Sequence, residues 1–293
     1  MNFKSSITGL IVRIFSALLI LITAFLAGAG MSGEVARKIA FVGKTTITEK
    51  EIFYKIQVEK AYGNEGATRE AALISLVNDA IEHEIAKIYG VTITREEINS
   101  FKRYVNEQTK APEILQKVKL LFGNDLSSYE RIYLAPKIMN SKLHDFYSRS
   151  PEIHKKERGL IELAYSLVVA GRGFEEAAQE CGMEFSAFKI EAKGTFFHPD
   201  PLIPILETLF PGDIYRNIVE DDYRYRVIRL IERSGGTYSV EAIAINKQPF
   251  DEWFREEAAK IEIEIIDPDL RENIKAKYPG IWWVKKLFQK YGN

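Results

Sequence analysis

The run IEIEII at 261–266 alternates isoleucine with glutamate. With a side-chain period of two, the isoleucines share one face of a strand and the glutamates the other, the pattern of a half-buried edge strand. Such a strand needs a neighbour to pair its backbone groups. Its natural partner is the apolar strand KIAFV at 38–42, near the opposite end of the chain. The sequence therefore predicts that the first and last parts of the polypeptide fold together, with everything between them inserted.

The opening strand runs into Gly43-Lys44-Thr45, which resembles the end of a phosphate-binding loop. That loop requires a glycine five residues earlier so that backbone N–H groups curl around an anion. Lys38 stands there instead, followed by strand-forming residues. Thr46-Ile47-Thr48 then extends the chain, and Thr48 with Glu51 forms a capping box that starts a helix at about Glu49. The segment reads as strand, Gly-Lys turn, short strand and capped helix, and not as a nucleotide site.

Net charge is −1, so no global field favours nucleic acid. The single cysteine, Cys181, cannot form an internal disulfide, and no Cys/His cluster offers metal ligands. His83, His144, His154 and His198 are scattered and read as surface or helix-face residues. No metal or cofactor is expected. The N-terminus carries an address: Lys4 and Arg13 precede an uncharged stretch from Ile14 to Gly33, apolar to Ala27. Ala27-Gly28-Ala29 fits the small-x-small cleavage rule. Residues 1–33 read as a cleaved signal peptide, with a retained inner-membrane anchor as the alternative. Either places the remainder in the periplasm or another extracytoplasmic space.

Helical spacing recurs over 49–62, 69–89, 95–109, 112–122 and 127–147. Thr94 and Glu97 repeat the capping-box logic of Thr48 and Glu51. SRSPEIH at 148–154 reads as a linker. A second unit follows: a helix at 155–170, a short helix after GRGF, the strand AFKIEA, a short helix PLIPILETLF, the strand YRYRVIRLIE, a Ser234-Gly235-Gly236 turn and a returning strand over Tyr238 to Ile245. A helix at 249–260 leads to IEIEII. The tail at 267–293 ends in an amphipathic segment with Trp282, Trp283, Val284, Leu287 and Phe288 beside Lys285 and Lys286. It is expected to dock on the body, with membrane-surface or partner contact as the alternatives.

The order of these pieces resembles the SurA/PrsA-type periplasmic chaperones with a parvulin-like (PpiC-type) module. FVGKTTITEKEI resembles that family's opening strand, turn and capped helix. REAALISLVNDAIEHEIAKIYGVTITREEI resembles its core helix and the following turn. GFEEAAQE, GTFF, LETLFPGDI and YRYRVIRLIE resemble the parvulin frame, and FDEWFREEAAKIEIEI the segment that closes the helical domain. The resemblance covers about 39–266. It implies an α+β fold, mostly α: a helical chaperone domain from 34–150 and 248–293, with a degenerate parvulin-like α/β domain at 151–247 inserted.

The departures concern catalysis. The family's first module strand carries a histidine, and nothing before 155–170 reads as that strand. Its other histidine follows the tyrosine of the last strand, where this chain has Arg226 after Tyr225. The expected function is reversible binding of unfolded or extended polypeptides, outer-membrane or secreted proteins among them, with little isomerase activity. An active peptidyl-prolyl isomerase and an envelope scaffold with one fixed partner are the alternatives. No catalytic residue is assigned. The candidate peptide contacts are Phe196, Phe197, Leu209, Phe210 and Tyr225, each equally consistent with core. The strand over Tyr238–Ile245 is expected to fill the place of the missing first strand by hairpinning onto 223–231.

Overall fold

The computed structural model describes residues 37–108, 111–123, 126–192 and 200–291. The N-terminal apolar run lies outside them. The chain is mixed α/β, mostly helical, with two small antiparallel sheets. By contacts it divides into two units: residues up to Leu76 together with those from Ile263 onward, and Val77–Glu262.

In the first unit, β1 (Lys38–Val42) and β2 (Thr45–Thr48) form a hairpin. Val42 pairs with Thr45, so Gly43 and Lys44 are its two-residue turn. Gly43 has φ +55° and no other residue type has positive φ among the described residues. A glycine first in the turn matches the II′ geometry that suits twisted hairpins. The Gly-Lys-Thr triplet is thus a hairpin corner. Helix α1 (Glu49–Ala61) starts at Thr48, whose Oγ1 accepts from the Glu51 amide at 3.3 Å, while Glu51 Oε2 accepts from the Thr48 amide at 2.7 Å.

Strand β7 (Ile263–Ile265) pairs antiparallel with β1: Ala40 faces Ile265, Phe41 faces Glu264 and Val42 faces Ile263. The sheet order is β2-β1-β7, so β7 is an edge strand. Ile261, Ile263 and Ile265 are buried while Glu262 and Glu264 are exposed, as the alternation requires. Helix α11 (Pro268–Lys277) follows, capped by Asp267, whose Oδ1 accepts from the Leu270 amide at 2.9 Å. Asp267 Oδ2 also accepts from Arg37 at 3.0 Å and Arg69 at 3.1 Å. Arg69 reaches Glu49 with two further bonds, of 3.0 and 2.5 Å. One buried carboxylate thereby ties the chain's late segment to two early arginines. The tail helix α12 (Trp282–Tyr291) packs on α11 and β7, with Trp283, Val284 and Leu287 buried.

Helix α2 (Arg69–Ile88) begins in the first unit and ends in the second. Helices α3 (Arg95–Asn106) and α4 (Ala111–Phe122) follow. A short α5 (Ser127–Tyr129) then passes through a π-helical turn (Glu130–Leu134) into α6 (Ala135–Arg149). The spacing predicts one unbroken helix here. Pro136 explains the difference: its nitrogen has no hydrogen to complete an α-type bond, and the Ala135 N–H reaches back to the Glu130 carbonyl instead.

The sheet of the second unit has strands β3 (Glu184–Glu191), β4 (Val219–Glu220), β5 (Arg224–Ser234) and β6 (Thr237–Asn246), ordered β3-β6-β5-β4. Ser234 pairs with Thr237, and Gly235 and Gly236 have φ +57° and +80°, the type I′ hairpin pattern. The hairpin predicted for Tyr238–Ile245 is present. Its strand is interior, with β5 on one side and β3 on the other. Helices α7 (Lys155–Val169) and α8 (Phe174–Glu180) cover one face with Ile161, Ala164, Val168, Phe174 and Ala177 against Tyr225, Val227 and Ile243. The one-turn α9 (Ile203–Leu206) and Leu209 cover part of the other, over Ile228, Leu230 and Val240. Helix α10 (Phe250–Ala258) closes the unit with Trp253, whose ring lies 5.6 Å from that of Tyr89 and 5.2 Å from that of Tyr147.

Burial opposes ionisation of Asp267, but the Leu270 amide and the two arginines outweigh it and hold its carboxyl below the ordinary value. Its contribution is therefore complete at neutral pH and is lost as pH falls through that depressed value. Asp267→Ala should cost about 2–3 kcal/mol in urea unfolding at pH 7, for one cap and charged hydrogen bonds. Asp267→Asn should flatten the fall in stability below about pH 4. An unchanged acid limb would show that this carboxylate does not tie the segments.

Candidate functional site

The uncovered part of the second face is the first concave surface. Residues 224, 226, 228 and 230 of β5 point to one side of the sheet, with 242 and 244 of β6 and 184, 186 and 188 of β3 beside them. Helix α9 covers the half near Leu230. The other half is floored by the small side chains of Ala242 and Ala244 and walled by Phe188, Pro201 and Leu202, leaving a depression of about 260 Å³. Glu184, Asp200, Arg224 and Arg226 supply its charge. Arg226 Nη2 lies 2.5 Å from Asp221 Oδ2, which fixes the guanidinium at the rim. Arg226 offers hydrogen-bond donors and positive charge at the rim.

The five predicted contacts fall in different places. Phe196 and Phe197 lie outside the described residues. Leu209 is buried at the edge of the α9 cluster, on the depression's side of the sheet. Phe210 is 77% exposed. Tyr225 is buried on the opposite, helix-covered face, with the Lys247 ammonium 4.9 Å from its ring. The sheet thus separates Tyr225 from Leu209.

Helices α3 and α4 form the second concave surface. Asn106, Pro112, Leu115, Gln116, Lys119 and Leu120 line a groove of about 520 Å³. Leu120 is 77% exposed and Tyr104 58%. No residue of α3 is buried, and Val118 is buried on α4. Apolar side chains left in water on adjacent helices are the ordinary basis of polypeptide capture.

A buried polar joint inside the second unit was not legible in the sequence. His154, read from sequence as a surface or helix-face residue, is fully buried; its Nε2 is 2.9 Å from the Tyr147 carbonyl and its ring 4.8 Å from that of Tyr147. Burial lowers its pKa, so the ring is neutral at neutral pH. Lys247 reaches the Ser148 carbonyl at 3.2 Å and Glu220 at 2.8 Å. These bonds fasten the end of α6 to the sheet, so residues 148–154 lie within the unit. Of the other histidines, His83 is exposed, His144 stacks on Phe250 and His198 is outside the described residues. Among the described residues no cluster of three metal-ligating side chains occurs.

No protein-family model matches the chain, and neither does any curated protein sequence. The geometry alone therefore separates core from surface among the predicted contacts. Leu209→Ala should destabilise by about 2–4 kcal/mol, because it removes buried methyl groups. Phe210→Ala should change stability by less than about 0.5 kcal/mol. Chemical denaturation of the two variants checks this, and equal costs would contradict the placement.

Proposed function

We propose that this chain is an extracytoplasmic chaperone that binds unfolded or extended polypeptides reversibly on exposed apolar surface. In this reading the four-stranded module is a degenerate parvulin-like frame, inserted in sequence between the two end segments that build a helical domain. The observation that carries the reading is the α3–α4 groove, lined by the half-buried Leu115 and the exposed Leu120, with the exposed Tyr104 on α3. Covering the exposed apolar segments of a folding intermediate lowers the concentration of the species that aggregates. This requires no bond-making chemistry. The sequence resemblance supports the same reading, as does Arg226 in place of a histidine at the open face. The apolar run at 14–27 supports the extracytoplasmic location. Among the described residues, no helix is long and apolar enough to cross a membrane.

The purified full chain should suppress light scattering by two unrelated chemically denatured clients at near-stoichiometric ratios. Tyr104→Ser combined with Leu120→Ser should weaken that suppression about thirtyfold, since each side chain contributes on the order of 1 kcal/mol of apolar burial to a client complex. Both positions are solvent-exposed, so thermal stability should hold. Failure to suppress either client would overturn the proposal. Co-purification with one protein alone would favour the scaffold reading, and accelerated Xaa-Pro rotation in a protease-coupled assay the isomerase reading.

A further inference from the structure

Helices α3 and α4 are adjacent but are attached to the second unit by different forces. Helix α4 is held by apolar contact: Val118 is fully buried, and the Phe122 ring lies 6.1 Å from that of Tyr129. Helix α3 buries no side chain, and Ile98, Phe101 and Val105 are only half-covered. Its fastening is ionic. Arg95 Nη1 lies 2.5 Å from Glu130 Oε2, and Lys102 Nζ bonds the other oxygen of the same carboxylate. Arg95 and Lys102 are two helical turns apart, so they project from one side of α3. A third pair joins Lys142 of α6 to Glu97 at 2.5 Å, and Glu97 is also the capping residue that starts α3. The Glu130 side chain is 9% exposed and stands at the first position of the π-helical turn.

We propose that Glu130 is the main catch of a hinged arm: α3 closes on the helical body chiefly through this carboxylate, which takes two of its three ion pairs, and opens when that charge is removed or screened, which regulates how much apolar surface is offered to clients. This rests on the chaperone reading for its consequence but not for its geometry. A carboxylate withdrawn from water is stabilised only while its cations are present, and both come from the movable helix. Opening rehydrates Glu130 and frees Arg95 and Lys102. The same movement uncovers Ile98, Phe101 and Val105, which continue the apolar surface of Tyr104. The rings of Phe101 and Tyr104 are already stacked, with centroids 6.0 Å apart. Two of the three cations are 28% exposed and Arg95 is 64% exposed, so dissolved salt reaches the pairs. Helix α4, docked by Val118 and Phe122, stays in place.

Hydrogen–deuterium exchange of the full chain, read by mass spectrometry, tests the catch. Glu130→Gln should raise exchange of the α3 amides about tenfold, and raising sodium chloride from about 0.05 to about 1 M should do the same in the unaltered chain. Amides of α8 and β5 should keep their protection. Unchanged α3 exchange in the salt series overturns the proposal, and that series needs no variant to fold. Light scattering with a denatured client, on the same samples, separates the two ideas. Faster α3 exchange without any suppression of aggregation would uphold the catch and remove the chaperone reading. Unchanged α3 exchange in a chain that does suppress aggregation would do the reverse.

Discussion

Residues 40–42 are held against residues 263–265 by an antiparallel ladder, and among the described residues the late strand has no other strand neighbour. Three paired residues make a weak sheet by themselves. What fixes them is the side chain of Asp267, which caps α11 and accepts from both Arg37 and Arg69. Lys277 adds a bond to Glu70 at 2.7 Å from the far end of α11. These contacts close a loop of more than two hundred residues. Closing a loop that long costs only slightly more than closing a short one, because the entropy grows with the logarithm of length. An entire second unit is therefore accommodated between the strands without a large penalty.

Inside that second unit, the division of labour follows from what each face of the sheet meets. Helices α7 and α8 bury Tyr225, Val227 and Ile243 completely, so that side offers nothing to a ligand. Arg229 pairs with Glu241 across the strands and lies over the Phe174 ring, which lets two charges sit above an apolar layer. Among the described residues, Leu202, Ile203, Leu206 and Leu209 cover part of the opposite side, and Ala242 and Ala244 floor the depression beside them. The α3–α4 pair adds a larger apolar surface. On the chaperone proposal, both would meet an extended chain through many weak contacts rather than one placed functional group.

Much of this was legible in the sequence because it is local. Thr48-x-x-Glu51 and Thr94-x-x-Glu97 specify helix starts within four residues. The isoleucine–glutamate alternation gives a face for each side chain, and Gly235-Gly236 specifies a two-residue turn. The pairing of 238–245 with 223–231 is legible for the same reason, and the observed strands are Thr237–Asn246 and Arg224–Ser234. What could not be read was set by distance or by crowding. Glu130 meets Arg95 and Lys102 across a gap of some thirty residues, and no spacing rule connects them. His154 stands in a charged stretch, yet its ring is buried by Tyr147 and the end of β6, so composition misplaces it. The π-helical turn depends on Pro136, which is equally common in the first turn of an ordinary helix. The candidate contacts Phe196, Phe197, Leu209, Phe210 and Tyr225 share large apolar side chains, and residue type does not tell which face of a sheet a side chain occupies.

The joining of the two ends is most directly tested by a cross-link. Phe41 and Glu264 are direct partners in the ladder, so their β-carbons are within disulfide reach. In a full-length chain carrying Phe41→Cys, Glu264→Cys and Cys181→Ser, mild oxidation should form an intramolecular disulfide nearly completely, seen as a single faster band on a non-reducing gel. Oxidation that leaves both thiols free in the folded monomer, or links different molecules only, would contradict the closure on which the rest of the fold depends.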